Sequence, residues 1–262
     1  MKYSFRRNAL QFIPPLASFG ALILIWELLV RWLAVSPVIL PAPTRVFQEF
    51  VKRSDEILFH SAITMFEAFA GLVTGVAFAM VCSFLILEFT TFRRAIYPLI
   101  MAKQVVPTIV FAPILLVWFG YGMSSKVVIS ATICFFPIVV NALHGLNSLQ
   151  PEVIELAQSL GSSRWKILWR LRVPHSLPSI FAALKPTVGL AMIGAVVGEF
   201  IGGNYGLGYM IIESLRFINL AGMFAATVAL MILGMLFFGM VELLGILLLG
   251  WYRKALRISE VV

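Results

Sequence analysis

The sequence predicts an all-α, polytopic membrane protein with six transmembrane helices, and three observations carry that prediction. Hydrophobic residues make up 61% of the 262 residues, charged residues make up only 12%, and the mean hydropathy is +0.98. A water-soluble protein cannot bury so large an apolar share. The apolar residues also fall into six runs, each long enough to provide the roughly 20 residues that cross a bilayer. No length is left for a soluble domain, so residues 1–262 are expected to form one membrane domain.

The six predicted spans follow one another along the whole chain. They cover residues 12–35, 62–87, 96–119, 127–146, 181–201 and 223–251. The first run exceeds the core of a signal peptide and no cleavage site follows it, so we expect a retained anchor. The third run contains Pro98, Pro107 and Pro113, which interrupt helical hydrogen bonding and free backbone carbonyls.

The distribution of Lys and Arg predicts the orientation in the membrane. With both termini inside, thirteen of the 20 basic residues fall in inner segments and six in outer segments. The inner set includes Arg164 and Arg257, and the outer set includes Lys52 and Lys126. This asymmetry favours a multi-pass protein of the bacterial inner membrane with cytoplasmic N- and C-termini. It also explains the formal net charge of +8 without a nucleic-acid partner.

Two segments outside the spans are amphipathic. After the first span, Thr44 is expected to cap a short outer helix that carries apolar residues from Val46 to Ile57. Residues 202–219 are rich in glycine and then amphipathic, which predicts an outer plug or surface helix.

The inner loop of residues 147–180 is the most informative part of the sequence. Pro151 suits the first position of a helix, and apolar residues then recur at helical spacing up to Leu160. Gly161 can adopt the left-handed conformation that ends a helix, and Ser162 or Ser163 can cap the next one.

The second helix of this loop is predicted over residues 164–171. It is basic on one side, and Pro174 and Pro178 are expected to stop it before the fifth span. Two short helices joined by a glycine turn would form a compact knob that can dock in a groove of a partner. The alternative is an amphipathic loop that lies on lipid head groups through its basic residues.

The knob resembles the EAA loop of ATP-binding-cassette importer permeases, in which Glu-Ala-Ala is followed by a glycine and an Ile-x-Leu-Pro. Here Glu155-Leu156-Ala157, Gly161 and Leu171-Arg172-Val173-Pro174 stand at the family's spacing, with conservative departures at Leu156, Leu171 and Val173. Residues 111–113, 118–120, 135–137 and 206–209 also look like the nitrate, sulfonate, taurine and pyrimidine-precursor branch of this family.

The resemblance implies a six-span subunit, usually paired as a homodimer, bound to cytosolic ATP-binding subunits and supplied by an extracytoplasmic solute-binding protein. It implies that six residues couple the permease to the ATPase: Glu155, Ala157, Gly161, Leu171, Pro174 and Pro178. No lysine follows a glycine, so the chain has no phosphate-binding P-loop, and ATP with its magnesium is expected on a partner.

Neither catalytic residues nor a metal site is predicted. Cys82 and Cys134 lie in separate apolar runs and are expected to be small apolar fillers. The three histidines, His60, His144 and His175, are far apart and form no zinc-binding pair. We expect no cofactor in this chain and no covalent chemistry.

Ionisable and polar residues within spans are candidates for a translocation path, because such groups are costly in lipid. Lys103, Gln104 and Glu199 are the preferred candidates. Glu67 and Glu242 are expected to be interhelical pins or interfacial groups rather than path residues.

Two local patterns are explained by structure without a role in transport. Glu27 and Arg31 are four residues apart, which favours a local ion pair. The small-residue stripe Gly194, Gly198 and Gly202 allows close helix packing, and packing within this chain is favoured over packing between two copies.

The leading hypothesis is the permease subunit of an ATP-driven importer for a small organic solute. Related sulfonate and nitrate permeases commonly carry an arginine where this chain has Gln104, and a glutamine amide suits a neutral heterocycle better than an anion. A heterocyclic vitamin precursor of pyrimidine or riboflavin type is therefore favoured over a sulfonate, taurine or nitrate. The remaining alternative is a proton-coupled carrier that uses Glu67, Lys103 and Glu199 as a relay.

Overall fold

The structure is a computed structural model that describes the backbone of residues 2–103 and 107–248. Every regular element in those two ranges is helical. The α-helices are α1 (Lys2–Trp32), α2 (Pro43–Lys52), α3 (Ser54–Glu88), α4 (Thr90–Lys103), α5 (Ala112–Phe119), α6 (Met123–Asn147), α7 (Pro151–Ser159), α8 (Arg164–Ile167), α9 (Val173–Gly202), α10 (Leu207–Arg216) and α11 (Leu220–Leu248). A 3₁₀ turn, Thr108–Phe111, precedes α5, and a π-helical turn, Leu168–Arg172, joins α8 to α9.

Four helical segments of the described chain are long and apolar enough to cross a membrane. They are Ser54–Glu88, Met123–Asn147, Arg164–Gly202 and Leu220–Leu248. Each contains one of the predicted runs, except that the last run continues to residue 251, beyond the described residues. The helix α1 contains most of the first predicted run.

The third predicted run is a broken helix. Its first half is α4, which contains Pro98, and its second half is the 3₁₀ turn followed by α5. Pro107 precedes the turn, and Gly120 ends α5 with a φ of +80°. Pro98 lies inside α4 and Pro113 in the first turn of α5, so among the described residues only Pro107 of the three prolines lies outside a helix.

The core of the bundle is built from α3, α6 and α9. Small residues let these helices approach closely: a Cβ placed on Gly194 of α9 would lie 2.5 Å from the Cα of Ser130 in α6. One on Gly198 would lie 2.9 Å from the Cγ of Lys126. The glycine stripe therefore packs within this chain, which confirms the first of its two interpretations.

The expected helix stop at Pro174 and Pro178 is wrong. The helical segment runs from Arg164 to Gly202 without a break. Pro174 occupies the first turn of α9, directly after the π-helical turn, and the wider backbone of that turn leaves room for its ring. Pro178 lies inside α9. The second helix of the knob and the fifth span are therefore one continuous element.

The expected capping by Thr44 is also wrong. The helix α2 begins at Pro43 with Ala42 as its N-cap residue, and the Glu27 carboxylate accepts from the Thr44 N–H at 3.0 Å in its first turn. The Thr44 hydroxyl instead donates to the Glu27 carboxylate at 2.9 Å. Ile57, which was expected on the same short helix, belongs to α3. The amphipathic helix predicted within residues 202–219 is confirmed as α10.

Candidate functional site

The first candidate site is the coupling segment, which we define as residues 151–163. It consists of α7 and the turn that leads into α8. Gly161 has a φ of +75°, and its N–H donates to the Gln158 carbonyl at 2.9 Å. The Ser163 hydroxyl accepts from the Lys166 N–H at 3.4 Å, so Ser163 is the N-cap residue of α8. The glycine turn and the serine cap both confirm the sequence prediction.

The coupling segment presents an uncovered surface. No residue of α7 is buried, and Leu156 and Leu160 are 61% and 77% exposed. Glu155 and Gly161 are exposed on the same short stretch of chain, whereas Ala157 is half-buried. Apolar side chains grouped on a surface in this way are typical of a contact with another molecule.

The helical residues 167–169, which follow the coupling segment and form its base, pack against the bundle. Ile167 and Leu168 are almost completely buried, and the Trp169 ring lies 5.5 Å from the ring of Phe84 in α3. Leu171, Pro174 and Pro178 are half-buried along the continuous helix above. The six predicted coupling residues thus divide into an exposed group on α7 and its turn and a group on the long helix that carries it.

The second candidate site is a buried cluster of charged side chains between α3, α6 and α9, here called the carboxylate cluster: Glu67, Lys126 and Glu199. All three are at most 4% exposed. The Lys126 ammonium lies 3.0 Å from the Glu67 carboxylate. The Glu199 carboxylate accepts from the Thr64 hydroxyl at 2.6 Å and from the Gly208 N–H at 2.6 Å.

The carboxylate cluster holds the loop between α9 and α10. The Leu207 N–H donates to the Thr64 hydroxyl at 2.8 Å, and the Gly206 N–H donates to His60 Nδ1 at 2.9 Å. The Lys126 ammonium donates to the Tyr205 carbonyl at 3.4 Å. Glu199 also lies at the N-terminus of α10, where a carboxylate is favoured by the unpaired N–H groups and the helix dipole.

A second set of contacts ties the far end of α10 to Arg53, the residue between α2 and α3. The Arg53 guanidinium reaches the Ser214 hydroxyl at 3.3 Å and the Glu213 carboxylate at 3.6 Å. The Tyr209 hydroxyl donates to Glu213 at 2.9 Å, and this hydrogen bond raises the pKa of Tyr209 above its usual value. Both ends of α10 are therefore bonded to the bundle.

Lys126 is the functional residue that the sequence reasoning missed. It was expected in an outer segment, but it is buried in the first turns of α6 and bonded to Glu67. The only available signal was its position at the start of an apolar run, where a lysine without a carboxylate partner would be costly. The expected pinning role of Glu67 is thereby confirmed.

The other predicted polar residues are spread through the bundle. Arg31 lies 2.5 Å from Glu27, which confirms their local pairing. Lys185 pairs with Glu242 at 2.9 Å between α9 and α11. Glu199 is described above, but Gln104 and the side chain of Lys103 lie outside the described residues.

Cys82 and Cys134 are buried free thiols, as expected of small apolar fillers. Among the residues that the structure describes, His, Cys, Asp and Glu form no group of three that could hold a metal ion.

Comparison with protein families shows which family the chain belongs to. Residues 58–245 match the family model described as the inner membrane component of binding-protein-dependent transport systems. The chain belongs to this family of ABC importer permeases. The permease is thus a multi-pass inner-membrane transport component rather than an enzyme.

Three curated relatives indicate the range of solutes handled by similar permeases. The permease is 35% identical over 249 residues to the formylaminopyrimidine transport permease ThiX of Halalkalibacterium halodurans, covering 95% of this chain and 99% of the relative. It is 31% identical to the riboflavin transport permease RibX of Chloroflexus aurantiacus, covering 88% and 87%. It is 28% identical to the aliphatic sulfonates transport permease SsuC of Bacillus subtilis, covering 88% and 85%.

A solved structure shares the fold of the permease. The crystal structure of an amino acid ABC transporter with histidines has a TM-score of 0.63 at 16% identity. The match covers 76% of this chain and 97% of the other chain. At this identity the likeness shows the arrangement of helices alone.

Proposed function

We propose that the permease imports a small heterocyclic vitamin precursor of pyrimidine or riboflavin type. Two observations support this choice over a sulfonate. ThiX and RibX are 35% and 31% identical to the permease, whereas the sulfonate relative is 28% identical. The chain also has Gln104 where sulfonate-type relatives commonly carry an arginine, and a neutral amide matches a neutral heterocycle.

The solute class is tested by competition during uptake. Cells that express the complete transporter would take up a labelled aminopyrimidine, with unlabelled riboflavin, taurine, an alkanesulfonate and nitrate as competitors. We expect riboflavin to compete with the labelled aminopyrimidine, and taurine, the alkanesulfonate and nitrate to have no effect. Selective competition by taurine or the sulfonate would contradict the proposal and favour the anion importer.

The observation that supports the proposed transport mechanism is the exposed coupling segment, which is attached to a firmly packed helix. In the proposed mechanism α7 lies in a groove of a cytosolic ATP-binding subunit, which binds ATP and magnesium. Closure of the ATPase dimer moves α7, and the continuous helix from Arg164 to Gly202 transmits this motion into the membrane. The pathway then opens alternately to the two sides.

The proposed assembly contains two copies of the permease, each a single domain of residues 1–262, two ATP-binding subunits and an extracytoplasmic solute-binding protein. Each permease spans the membrane six times, with α1 as the first span and the broken helix of α4 and α5 as the third. Both termini lie in the cytoplasm. Lys103, Gln104 and Glu199 are proposed to border the translocation path, with Glu199 positioning the loop before α10.

The orientation is tested by labelling introduced cysteines with an impermeant thiol reagent in intact cells. Position 52 is expected to react from outside, and positions 164 and 257 only after the cells are opened. The two native thiols, Cys82 and Cys134, are buried and give a low background. Labelling of position 164 in intact cells would overturn the topology.

A further inference from the structure

A cavity of about 900 Å³ opens at the end of the bundle that carries the coupling segment. It is lined by the last turns of α3 and α6 and by α4 from Thr90 to Ile100. Ser148, only three residues before α7 begins at Pro151, is one of its lining residues. The cavity therefore adjoins the start of the coupling segment along the chain.

The lining of the cavity divides into an apolar floor and a polar mouth. Ile86, Ile100 and Leu143 line it and are at most 9% exposed, so they form its floor. Arg93 and Arg94 also line it but are exposed, so they form its mouth. A ligand that fills this space needs an apolar part and a polar head group.

The charge at the mouth of the cavity is positive and uncompensated. None of the described residues that line the cavity is acidic, and His144, Asn147 and Ser148 are its other polar residues near the end of α6. Within the described part of the chain, neither Arg93 nor Arg94 has a salt bridge, whereas Arg31 and Arg53 each pair with a carboxylate. Two free guanidiniums in one opening favour a phosphate-type anion, which they bind with several hydrogen bonds.

We propose that this cavity binds an anionic phospholipid, with the phosphate head group at Arg93 and Arg94 and part of an acyl chain against the apolar floor. A free phosphate would leave that floor empty. Basic pockets between transmembrane helices on the cytoplasmic side are suited to such head groups. The C-terminal residues 251–262 are an unsuitable occupant, since they carry Arg253, Lys254 and Arg257.

A phospholipid in this cavity would link the surrounding membrane to the coupling segment. Its head group would lie beside Asn147 and Ser148, where α6 ends before α7. The cytoplasmic placement of the cavity rests on the proposed function, but lipid binding can be measured without transport. Failure of the importer hypothesis and failure of the lipid site are therefore separate outcomes.

The test uses the full chain in nanodiscs that contain phosphatidylcholine with a minority of phosphatidylglycerol. Native mass spectrometry after release counts the retained molecules of each lipid. We expect selective retention of phosphatidylglycerol, and a roughly tenfold loss of that retention in the double variant Arg93→Gln, Arg94→Gln. The control double variant Arg164→Gln, Arg170→Gln removes the same charge from exposed residues that do not line the cavity, and should retain the lipid.

Two further arms separate a phospholipid from a free anion. Val140→Phe fills part of the cavity while both arginines remain, and should also lower lipid retention. Inorganic phosphate at millimolar concentration should not displace phosphatidylglycerol. The proposal is overturned if wild type retains both lipids equally, if the control variant loses as much as the arginine variant, if Val140→Phe has no effect, or if phosphate displaces the lipid.

Discussion

The coupling segment and the carboxylate cluster use polar residues in opposite ways. In the cluster, Glu199 and Lys126 are buried and bonded to groups of the same chain. In the coupling segment, Glu155 is exposed and the neighbouring leucines are uncovered. A buried charge requires partners inside the protein, whereas an exposed apolar face requires a partner outside it.

This difference predicts that the carboxylate cluster stabilises the fold and that the coupling segment contacts a partner. The cluster bonds α3, α6 and α9 to the loop before α10, so its loss should affect stability first. The coupling segment contributes no buried residue from α7, so its alteration should affect transport without affecting the fold. Substitutions in the two regions therefore separate folding from coupling.

The largest effect is expected from Lys126→Met. This change removes the cation beside Glu67 and leaves two carboxylates buried, and breaking a buried ion pair costs about 3–5 kcal/mol. We expect a large fall in the thermal unfolding midpoint of the detergent-solubilised protein. The control is Lys52→Met, because Lys52 is 76% exposed on the amphipathic helix α2 and lies 3.8 Å from Glu49, and such a surface pair should matter little. Equal midpoints for the two variants would show that the cluster does not hold the fold.

A smaller effect is expected from Thr64→Val, which keeps the side-chain shape but removes a hydroxyl that donates to Glu199 and accepts from the Leu207 N–H. Leaving these buried groups unsatisfied costs about 1–3 kcal/mol. Thr74→Val in the same helix is the control, since the Thr74 hydroxyl bonds only to carbonyls of its own helix. Thermal unfolding and protease sensitivity of the loop before α10 would both report the change. A control variant as unstable as Thr64→Val would argue against this role.

The sequence was sufficient to predict the long apolar helices, because their composition alone requires a membrane environment. The roles of Gly161 and Ser163 in the turn were also predictable, because the ends of helices depend on local backbone chemistry. The proline stop failed because Pro174 follows a π-helical turn, which no local pattern revealed. The π-helical turn immediately before Pro174 changed the backbone that its ring has to fit.

The carboxylate cluster was only half predictable. Glu67 and Glu199 stood out as acidic residues within apolar runs, but Lys126, the ion-pair partner of Glu67, did not. Its position near the end of a run fitted an outer loop equally well. Pairing across α3, α6 and α9 depends on helix register, and a single sequence does not contain that information.

The most direct test of the account is the effect of Glu155→Lys and Gly161→Val on the complete transporter. Gly161 has a left-handed backbone that a β-branched residue resists at a cost of about 1–3 kcal/mol, and Glu155 is expected to contact the ATP-binding subunit. Gly161→Asn is the control, because asparagine tolerates this conformation. The measurement is solute uptake together with co-purification of the ATP-binding subunit and the unfolding midpoint of the permease. Gly161 lies in an exposed turn, where local distortion can relieve the strain of Gly161→Val. We therefore predict midpoints close to that of the wild type, with uptake and ATPase association lost in the two variants and largely kept in the control. Normal uptake by both variants would contradict the account and leave residues 151–163 as a surface loop.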